Sequence, residues 1–230
     1  MRENIVLNDR EAIICHPEKP NGKWALKTEY FEAFPEIQNT LLDLGYYIVH
    51  IKNKTRWHHT SDTDARAELA RYMTQRFGVS KKCVIIGMSC GGMQGIYFAS
   101  KYPEYVSCMY LDAPVVNFLS CPAGLGAGTD SDFEQFCEHT GMNIIDLLAY
   151  RNHPLDHLPN LVKHNIPIIL VNGDSDKSVP YEENGKYLND IYVKNNCTIK
   201  TIIKKGGGHH PHGLDDNTPI IDFILKHDCI

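Results

Sequence analysis

A continuous apolar run that stops at a serine flanked by glycines restricts the fold of this chain more than any other feature. Cys83-Val84-Ile85-Ile86 is followed by Gly87-Met88-Ser89-Cys90-Gly91-Gly92, and a helical pattern then continues to about Tyr102. A short run that is apolar at every position is typical of a strand covered on both faces of a parallel sheet. The glycines permit a tight turn from this strand into a helix, so the sequence predicts a serine at the carboxyl end of a parallel strand.

The rest of the chain repeats the alternation of strand and helix. Strands are predicted at Ala12–Cys15, Tyr46–Ile51, Val106–Leu111, Ile166–Val171 and Cys197–Ile203, and helices at about Glu29–Leu44, Asp62–Phe77, Glu182–Val193 and from Thr218. This alternation predicts an α/β fold, a mainly parallel sheet with helices on both faces. We expect one domain over residues 1–230, with residues 115–165 forming a small cap inserted between two core strands.

Charge and hydropathy exclude several kinds of partner. The formal net charge is -5, from 23 basic and 28 acidic side chains, and no basic run offers a surface for nucleic acid. No apolar stretch reaches the roughly 18 residues of a membrane span, and residues 1–5 do not resemble a secretory signal. We therefore expect a cytoplasmic protein without a nucleic-acid or membrane partner. Its eight scattered cysteines are expected to be reduced: Cys15, Cys83, Cys90, Cys108, Cys121, Cys137, Cys197 and Cys229.

Ser89 is the predicted nucleophile of a hydrolytic site. The backbone N–H of Cys90, at the start of the following helix, could donate to a developing oxyanion. Two other interpretations compete with this one: Gly87 and the Gly91-Gly92 pair could serve only close packing, with Ser89 as an ordinary cap, or the Cys90 thiol could be the nucleophile. The second is disfavoured because the Cys90 side chain would not lie at the apex of the turn.

A serine nucleophile needs a base and a carboxylate that orients the base. In folds of this kind they follow the serine in the order acid, then histidine. Asp176, in a polar loop after the strand Ile166–Val171, is the preferred acid, whereas Asp174 is expected to brace the turn and Asp112 to be a turn or hinge residue. The competing carboxylates remain alternatives at this stage.

Three histidines follow the last predicted strand, in Gly206-Gly207-Gly208-His209-His210-Pro211-His212. His209 is the predicted base because it directly follows glycines, while His210 precedes a proline and is restricted to extended backbone. His210 and His212 would then be supports or substrate contacts. A metal site at the three histidines is disfavoured because Pro211 is expected to resist their convergence, so the predicted mechanism has no metal and no cofactor. His58 and His59 are expected to face solvent or the rim of the site.

A second oxyanion donor is expected in the loop His16–Trp24, after an early strand. Pro17 and Pro20 have no N–H to donate, which favours the region of Lys23 and Trp24. Trp24 could equally form a wall of the substrate pocket or pack against the first helix.

Taken together, these pieces resemble the α/β-hydrolase superfamily along nearly the whole chain. More closely, the chain resembles small bacterial hydrolases related to prolyl-oligopeptidase-like and acetylxylan-esterase-like enzymes. The matching segments are 23–27, 87–92, 110–115, 173–176 with Val179-Pro180, and 208–212. The resemblance implies Ser89 as nucleophile, Asp176 as acid and His209 as base, with ester hydrolysis as the reaction and acylated plant-type carbohydrates as a substrate class. The chain departs from such relatives at Cys90, where they carry a basic residue, and this bears on the charge of the substrate.

The sequence therefore predicts a serine carboxylic-ester hydrolase whose partner is a small-molecule ester, with imported acylated oligosaccharides as one candidate. Two rivals are a peptidase of the same fold and a non-catalytic binding protein built on a hydrolase fold. The peptidase would need a pocket for a peptide amine and usually an additional domain. Acyl length, leaving group and oligomeric state are not encoded in any motif of the sequence.

Overall fold

The computed structural model describes residues 1–128 and 132–228. An eight-stranded sheet forms its centre, with the strand order β1-β2-β4-β3-β5-β6-β7-β8. The strands are β1 (Arg2–Leu7), β2 (Arg10–Cys15), β3 (Trp24–Lys27), β4 (Tyr47–Ile51), β5 (Cys83–Met88), β6 (Val106–Asp112), β7 (Ile168–Gly173) and β8 (Ile199–Lys204). Neighbours from β4 to β8 pair in parallel, while β1 and β2 form an antiparallel edge. The predicted α/β-hydrolase fold class is confirmed.

Helices cover both faces of the sheet. They are α1 (Glu36–Asp43), α2 (Thr60–Phe77), α3 (Cys90–Lys101), α4 (Phe133–Thr140), α5 (Ile144–Ala149), α6 (Leu158–Lys163), α7 (Gly185–Lys194) and α8 (Thr218–His227). Side chains of α2, α3, α6 and α7 pack on one face, and those of α1 and α8 pack on the other. Strand β5 contributes Ile85 to the first layer and Val84 and Ile86 to the second, which explains its uniform apolarity.

Two predictions about the first 45 residues are wrong. Trp24–Lys27 is a strand in the middle of the sheet rather than the end of a loop, and the helix predicted from Glu29 begins only at Glu36. The intervening segment turns sharply, since Tyr30 and Phe34 both have positive φ angles, of 52° and 49°. The apolar spacing of Phe31 and Phe34 imitated a helix because both side chains pack onto the core from this loop.

Residues 113–167 connect β6 to β7 and contain α4, α5 and α6. Phe118, Phe136 and Leu147 of this segment are buried in a separate apolar cluster with Trp57 and Cys90. Residues 129–131, within the predicted cap, lie outside the described residues. The described part of the segment packs directly above the start of α3.

In the described ranges, no helix combines the length and apolarity needed to cross a membrane. None of the seven described cysteines forms a disulfide, and Cys229 lies outside the described residues.

Candidate active site

Ser89 occupies the sharp turn between β5 and α3, with φ 52° and ψ −120°. A non-glycine residue with positive φ is strained, and the surrounding structure must hold it in place. The Ser89 N–H donates to the Asp112 carbonyl oxygen at 2.9 Å, and its own carbonyl accepts the N–H groups of Gly92 and Val115 at 3.0 and 3.1 Å. A Cβ at Gly87 would lie 2.8 Å from backbone atoms of Gly91 and Gly92, so only glycine fits this turn.

The structure brings together the three side chains predicted to form the catalytic triad. The Ser89 hydroxyl lies 3.1 Å from His209 Nε2, and His209 Nδ1 lies 2.8 Å from Asp176 Oδ2. Because a carboxylate accepts, Nδ1 carries the proton and Nε2 is left to accept the Ser89 proton. These are the contacts that a serine nucleophile and its base require.

The two carboxylates that follow β7 have different surroundings. The Asp176 side chain is completely buried, and its Oδ1 accepts the N–H groups of Ser178 and Val179 at 2.9 and 2.8 Å. Asp174 is exposed and instead accepts the Gly206 N–H at 2.7 Å and the Ser175 hydroxyl at 2.9 Å. Asp174 thus braces the loop, as predicted, and only Asp176 reaches His209.

None of the three roles predicted for Trp24 is found in the structure. Trp24 begins β3, at the opposite end of that strand from the site, and its buried indole donates to the Ser80 carbonyl oxygen at 2.8 Å. Lys23 lies at the same remote end, where its ammonium pairs with Asp228. Trp24 therefore neither donates to an oxyanion nor lines the cavity, and it packs on the face of the sheet opposite the first helix, α1.

The loop after β3 brings Tyr30 to the position where a second oxyanion donor is expected. Tyr30 lies beside Ser89 and Cys90 in the cavity, and its N–H makes only a 3.3 Å contact with the Glu29 carboxylate. Cys90 is the first residue of α3, where backbone N–H groups have no helical acceptor. The N–H groups of Cys90 and Tyr30 are therefore the candidate donors. Sequence reasoning missed Tyr30 because it missed β3.

The Cys90 thiol is not a competing nucleophile. The side chain is buried, and burial raises the pKa of the thiol to about 11 although the Tyr30 hydroxyl opposes this shift. A thiol with this pKa is almost entirely protonated near neutral pH, and the thiolate is the reactive form. The geometry therefore favours Ser89.

A cavity of about 400 Å³ opens above Ser89, within the usual range for a small-molecule site. The loops that follow the strands line it together with segment 113–167. Among the described residues these are Tyr30, Ala33, Phe34, Arg56, Met88, Ser89, Cys90, Cys121, Asp132, Ser178, Val179, His209, His210 and His212.

The sequence profile of the prolyl oligopeptidase family matches residues 50–227, most of the chain and all three triad residues. The chain belongs to this family. It has the α/β-hydrolase fold, and the predicted resemblance to prolyl-oligopeptidase-like and esterase-like hydrolases is confirmed.

Solved structures of similar fold include both esterases and peptidases. Est1E from Butyrivibrio proteoclasticus, solved with bound ferulic acid, superposes with a TM-score of 0.68 at 17% identity and covers 98% of both chains. The carboxylesterase Cest-2923 from Lactobacillus plantarum gives 0.67 at 11% identity, covering 98% of this chain and 94% of that one. A puromycin-hydrolysing peptidase from Mycobacterium tuberculosis gives 0.73 at 12% identity over 91% of this chain. The present chain spans 36% of the length of that peptidase.

Arg56, from the loop before α2, supplies a positive charge next to Cys90. Its guanidinium lies 2.8 Å from Asp132 Oδ1 and interacts with the Tyr30 hydroxyl. The basic residue that the resemblance led us to expect at position 90 is thus replaced by a cation from another element. No motif signalled Arg56, because its position depends on how the loop folds over α3.

A second histidine–aspartate pair lies beside the first. His212 Nδ1 is 2.9 Å from Asp112 Oδ1, and both side chains are almost completely buried. Asp112 Oδ2 also accepts the Tyr110 hydroxyl at 2.8 Å and the Gly213 N–H at 2.7 Å. Asp112 is therefore more than the turn or hinge residue that was predicted, since it anchors the loop that carries His209.

The remaining histidines divide between rim and interior. His210 is exposed at the cavity and its ring stacks on Phe34, with centroids 5.4 Å apart. His59 is exposed and caps α2 by accepting the Ser61 N–H, as a residue facing solvent can. The prediction for His58 is wrong: its ring stacks on Tyr97 at 3.5 Å, and burial lowers its pKa to about 3.

Proposed function

We propose that this protein hydrolyses carboxylic esters through an acyl-enzyme intermediate. The observation that carries the proposal is the charge of the cavity beside Ser89. Among its described lining residues the one acidic side chain is Asp132, which Arg56 neutralises at 2.8 Å. An aminopeptidase site requires a carboxylate free to bind the substrate ammonium, whereas a neutral ester needs none.

In the proposed reaction, Ser89 attacks the acyl carbon as His209 Nε2 takes its proton. Asp176 holds the imidazole in the required tautomer and stabilises the imidazolium that forms. The N–H groups of Cys90 and Tyr30 stabilise the oxyanion, and one such donor contributes on the order of 3 kcal/mol in the transition state. His209 then protonates the leaving alcohol and activates the water that releases the acid.

An acylated oligosaccharide is the substrate class we favour. Tyr30 and Phe34 offer aromatic surface to an acyl group or a sugar ring, and the exposed His210 is placed to donate or accept a hydrogen bond at the rim. The full-length likeness to Est1E, solved with ferulic acid, and to the carboxylesterase Cest-2923 supports an ester rather than an amide.

Covalent labelling with a fluorophosphonate tests the mechanism. We expect one adduct on Ser89 in the folded wild-type protein and none in Ser89→Ala, whose fold is checked by circular dichroism. Absence of the adduct, or loss of activity when a chelator is added, would overturn the serine mechanism. Absence of the adduct would support a non-catalytic binding protein, and loss of activity with a chelator would support a metal hydrolase.

A substrate panel then separates the two hydrolase classes. We compare kcat/KM for short acyl esters, acetylated xylo-oligosaccharides and aminoacyl amides. Esters should exceed the matched amides by at least about 100-fold, which corresponds to about 2.7 kcal/mol of transition-state stabilisation. Faster cleavage of the aminoacyl amides would contradict the proposal and identify a peptidase of this family.

A further inference from the structure

The three histidines after β8 converge, although Pro211 was expected to keep them apart. The ring centroids of His209 and His210 are 4.7 Å apart, those of His209 and His212 are 5.0 Å apart, and those of His210 and His212 are 4.9 Å apart. One ring nitrogen from each lies within 4.8 Å of the others. The serine mechanism uses only His209, and the anchoring bond between His212 and Asp112 does not require a third imidazole at the same point.

Two of these imidazoles are held by buried carboxylates. His209 Nδ1 is bonded to Asp176 at 2.8 Å and His212 Nδ1 to Asp112 at 2.9 Å, and neither carboxylate side chain is exposed. Each bond fixes the tautomer in which Nδ1 carries the proton and Nε2 presents a lone pair. Histidines that bind metals are oriented in the same way, by a carboxylate or carbonyl on the other ring nitrogen.

We propose that His209, His210 and His212 form a reversible site for a divalent transition-metal ion of the Zn²⁺ class, and that the bound ion switches off hydrolysis. Only the second half rests on the proposed function. An ion on His209 Nε2 takes the lone pair that must accept the Ser89 proton, so metal binding and catalysis exclude one another.

The required movement is small. The three nitrogens lie within 4.8 Å of one another, so an ion at their centre is at most about 2.8 Å from each; zinc–nitrogen bonds are about 2.0–2.1 Å, so each nitrogen must move inward by no more than about 0.7 Å. Gly206, Gly207 and Gly208 precede the cluster, and His210 is exposed, so ring rotation and a modest loop shift can supply this movement. A water molecule would complete a tetrahedral shell. Imidazole nitrogens suit zinc, copper and nickel, whereas magnesium and calcium prefer oxygen ligands.

Metal binding is measured on Ser89→Ala as well as on the wild-type protein, because Ser89 is not a ligand. We expect calorimetric titration with ZnCl₂ to give one ion per chain in both and titration with MgCl₂ to give none. His210→Ala and His212→Ala should each weaken zinc binding at least about tenfold, and Asp112→Asn should weaken it about 10–100-fold, the usual effect of removing an outer-shell partner. His164→Ala is the matched control, since His164 is exposed and outside the cluster.

His212→Ala and Asp112→Asn change buried side chains and could fail to fold. In that case His210→Ala tests the metal site, because His210 is exposed. Absence of a stoichiometric zinc site, or unchanged affinity in His210→Ala, would overturn the proposal.

Inhibition is tested separately with ester substrate. The zinc concentration that halves wild-type hydrolysis should equal the dissociation constant from calorimetry, and EDTA should restore activity. In His210→Ala this half-inhibiting concentration should rise at least about tenfold. If the protein is saturated with zinc and still hydrolyses ester at the full rate, the switch is refuted. If zinc binds through these histidines but Ser89 takes no fluorophosphonate, the metal site stands and the proposed function falls.

Discussion

Single residues within one loop differ sharply in what they contact, and the pair Asp174 and Asp176 shows this most clearly. These residues are two positions apart in the sequence. The Asp176 side chain is buried against His209, whereas the Asp174 side chain is exposed and accepts a hydrogen bond from the loop backbone. The chemistry of each carboxylate is therefore set by its partner rather than by its type.

Asp176→Asn is expected to lower kcat about 10⁴-fold, because an amide that donates to Nδ1 would favour the wrong tautomer of the base. Asp174→Asn should lower kcat less than tenfold, since an amide oxygen can still accept the Gly206 N–H. Steady-state ester hydrolysis with melting temperatures for both variants makes the comparison. Equal losses would mean that the loop as a whole, and not the contact with His209, governs activity.

The triad could be predicted from sequence because its residues are marked locally and follow a fixed order. Ser89 is bounded by glycines, while Asp176 and His209 each follow a predicted strand. Tyr30, Arg56 and the contact between His212 and Asp112 could not be predicted, because each depends on which strands become neighbours.

Turns between strands and helices form this site. Whether a turn residue can be substituted depends on which atoms its new side chain would contact. Strands β6 and β7 were predictable from uninterrupted apolar runs, and helix α3 was predictable from its periodicity. β3 was not predictable, because four residues with a lysine at one end carry little pattern.

Gly92→Ala should destabilise the protein by about 1–3 kcal/mol through overpacking. A Cβ there would lie 2.5 Å from Pro114 Cβ and 2.9 Å from Pro114 Cα, which cannot move independently of the segment after β6. Gly95→Ala in the same helix is the control, since its nearest neighbour is a single side-chain methyl, Ile85 Cγ2 at 2.8 Å, rather than backbone. Urea unfolding should show the larger loss for Gly92→Ala, and the reverse order would contradict this account of the turn.

Lys27, at the end of β3, gives the stability a pH dependence. Its ammonium is buried and donates to the Ala33 carbonyl at 3.0 Å and to Gln38 Oε1 at 2.8 Å, and burial lowers its pKa from 10.5 to about 8. Between these two values the unfolded chain binds more protons than the folded protein, so stability rises with pH. Relative to Lys27→Met, the wild-type protein should gain up to about 3 kcal/mol from pH 8 to 10.5.

Urea unfolding of both proteins at several pH values measures this difference, in which the shared tyrosine titrations cancel. A difference that stays constant with pH would show that the folded lysine titrates near its ordinary pKa.

Across the whole molecule, the sheet and segment 113–167 are joined by a fully buried side chain. Asn184 Oδ1 accepts the N–H groups of Val116 and Asn117 at 3.0 Å each, and its Nδ2 donates to Ser120 Oγ at 3.1 Å and to the Pro180 carbonyl at 3.2 Å. The loop that carries Asp176 and segment 113–167 are thereby fixed to each other.

Asn184→Ala should cost at least about 2 kcal/mol, because it leaves two buried backbone N–H groups without acceptors. We also expect faster amide exchange in residues 115–120 and a higher KM. Asn195 is exposed and lies just after α7, the helix that begins next to Asn184. Asn195→Ala should therefore change neither the amide exchange of residues 115–120 nor KM. Unchanged exchange in Asn184→Ala would show that the segment is held by its apolar cluster alone.

The distance along the chain between Ser89 and His209 affects how the protein is made. The two residues are 120 positions apart, so at 5–20 residues per second the ribosome completes the serine turn roughly 6–24 s before the base that activates it. A growing chain thus exposes a serine that has no base to activate it, and nearby esters are not attacked during translation. The proposed hydrolysis therefore requires the pairing of β8 with β7, because the loop after β8 carries His209.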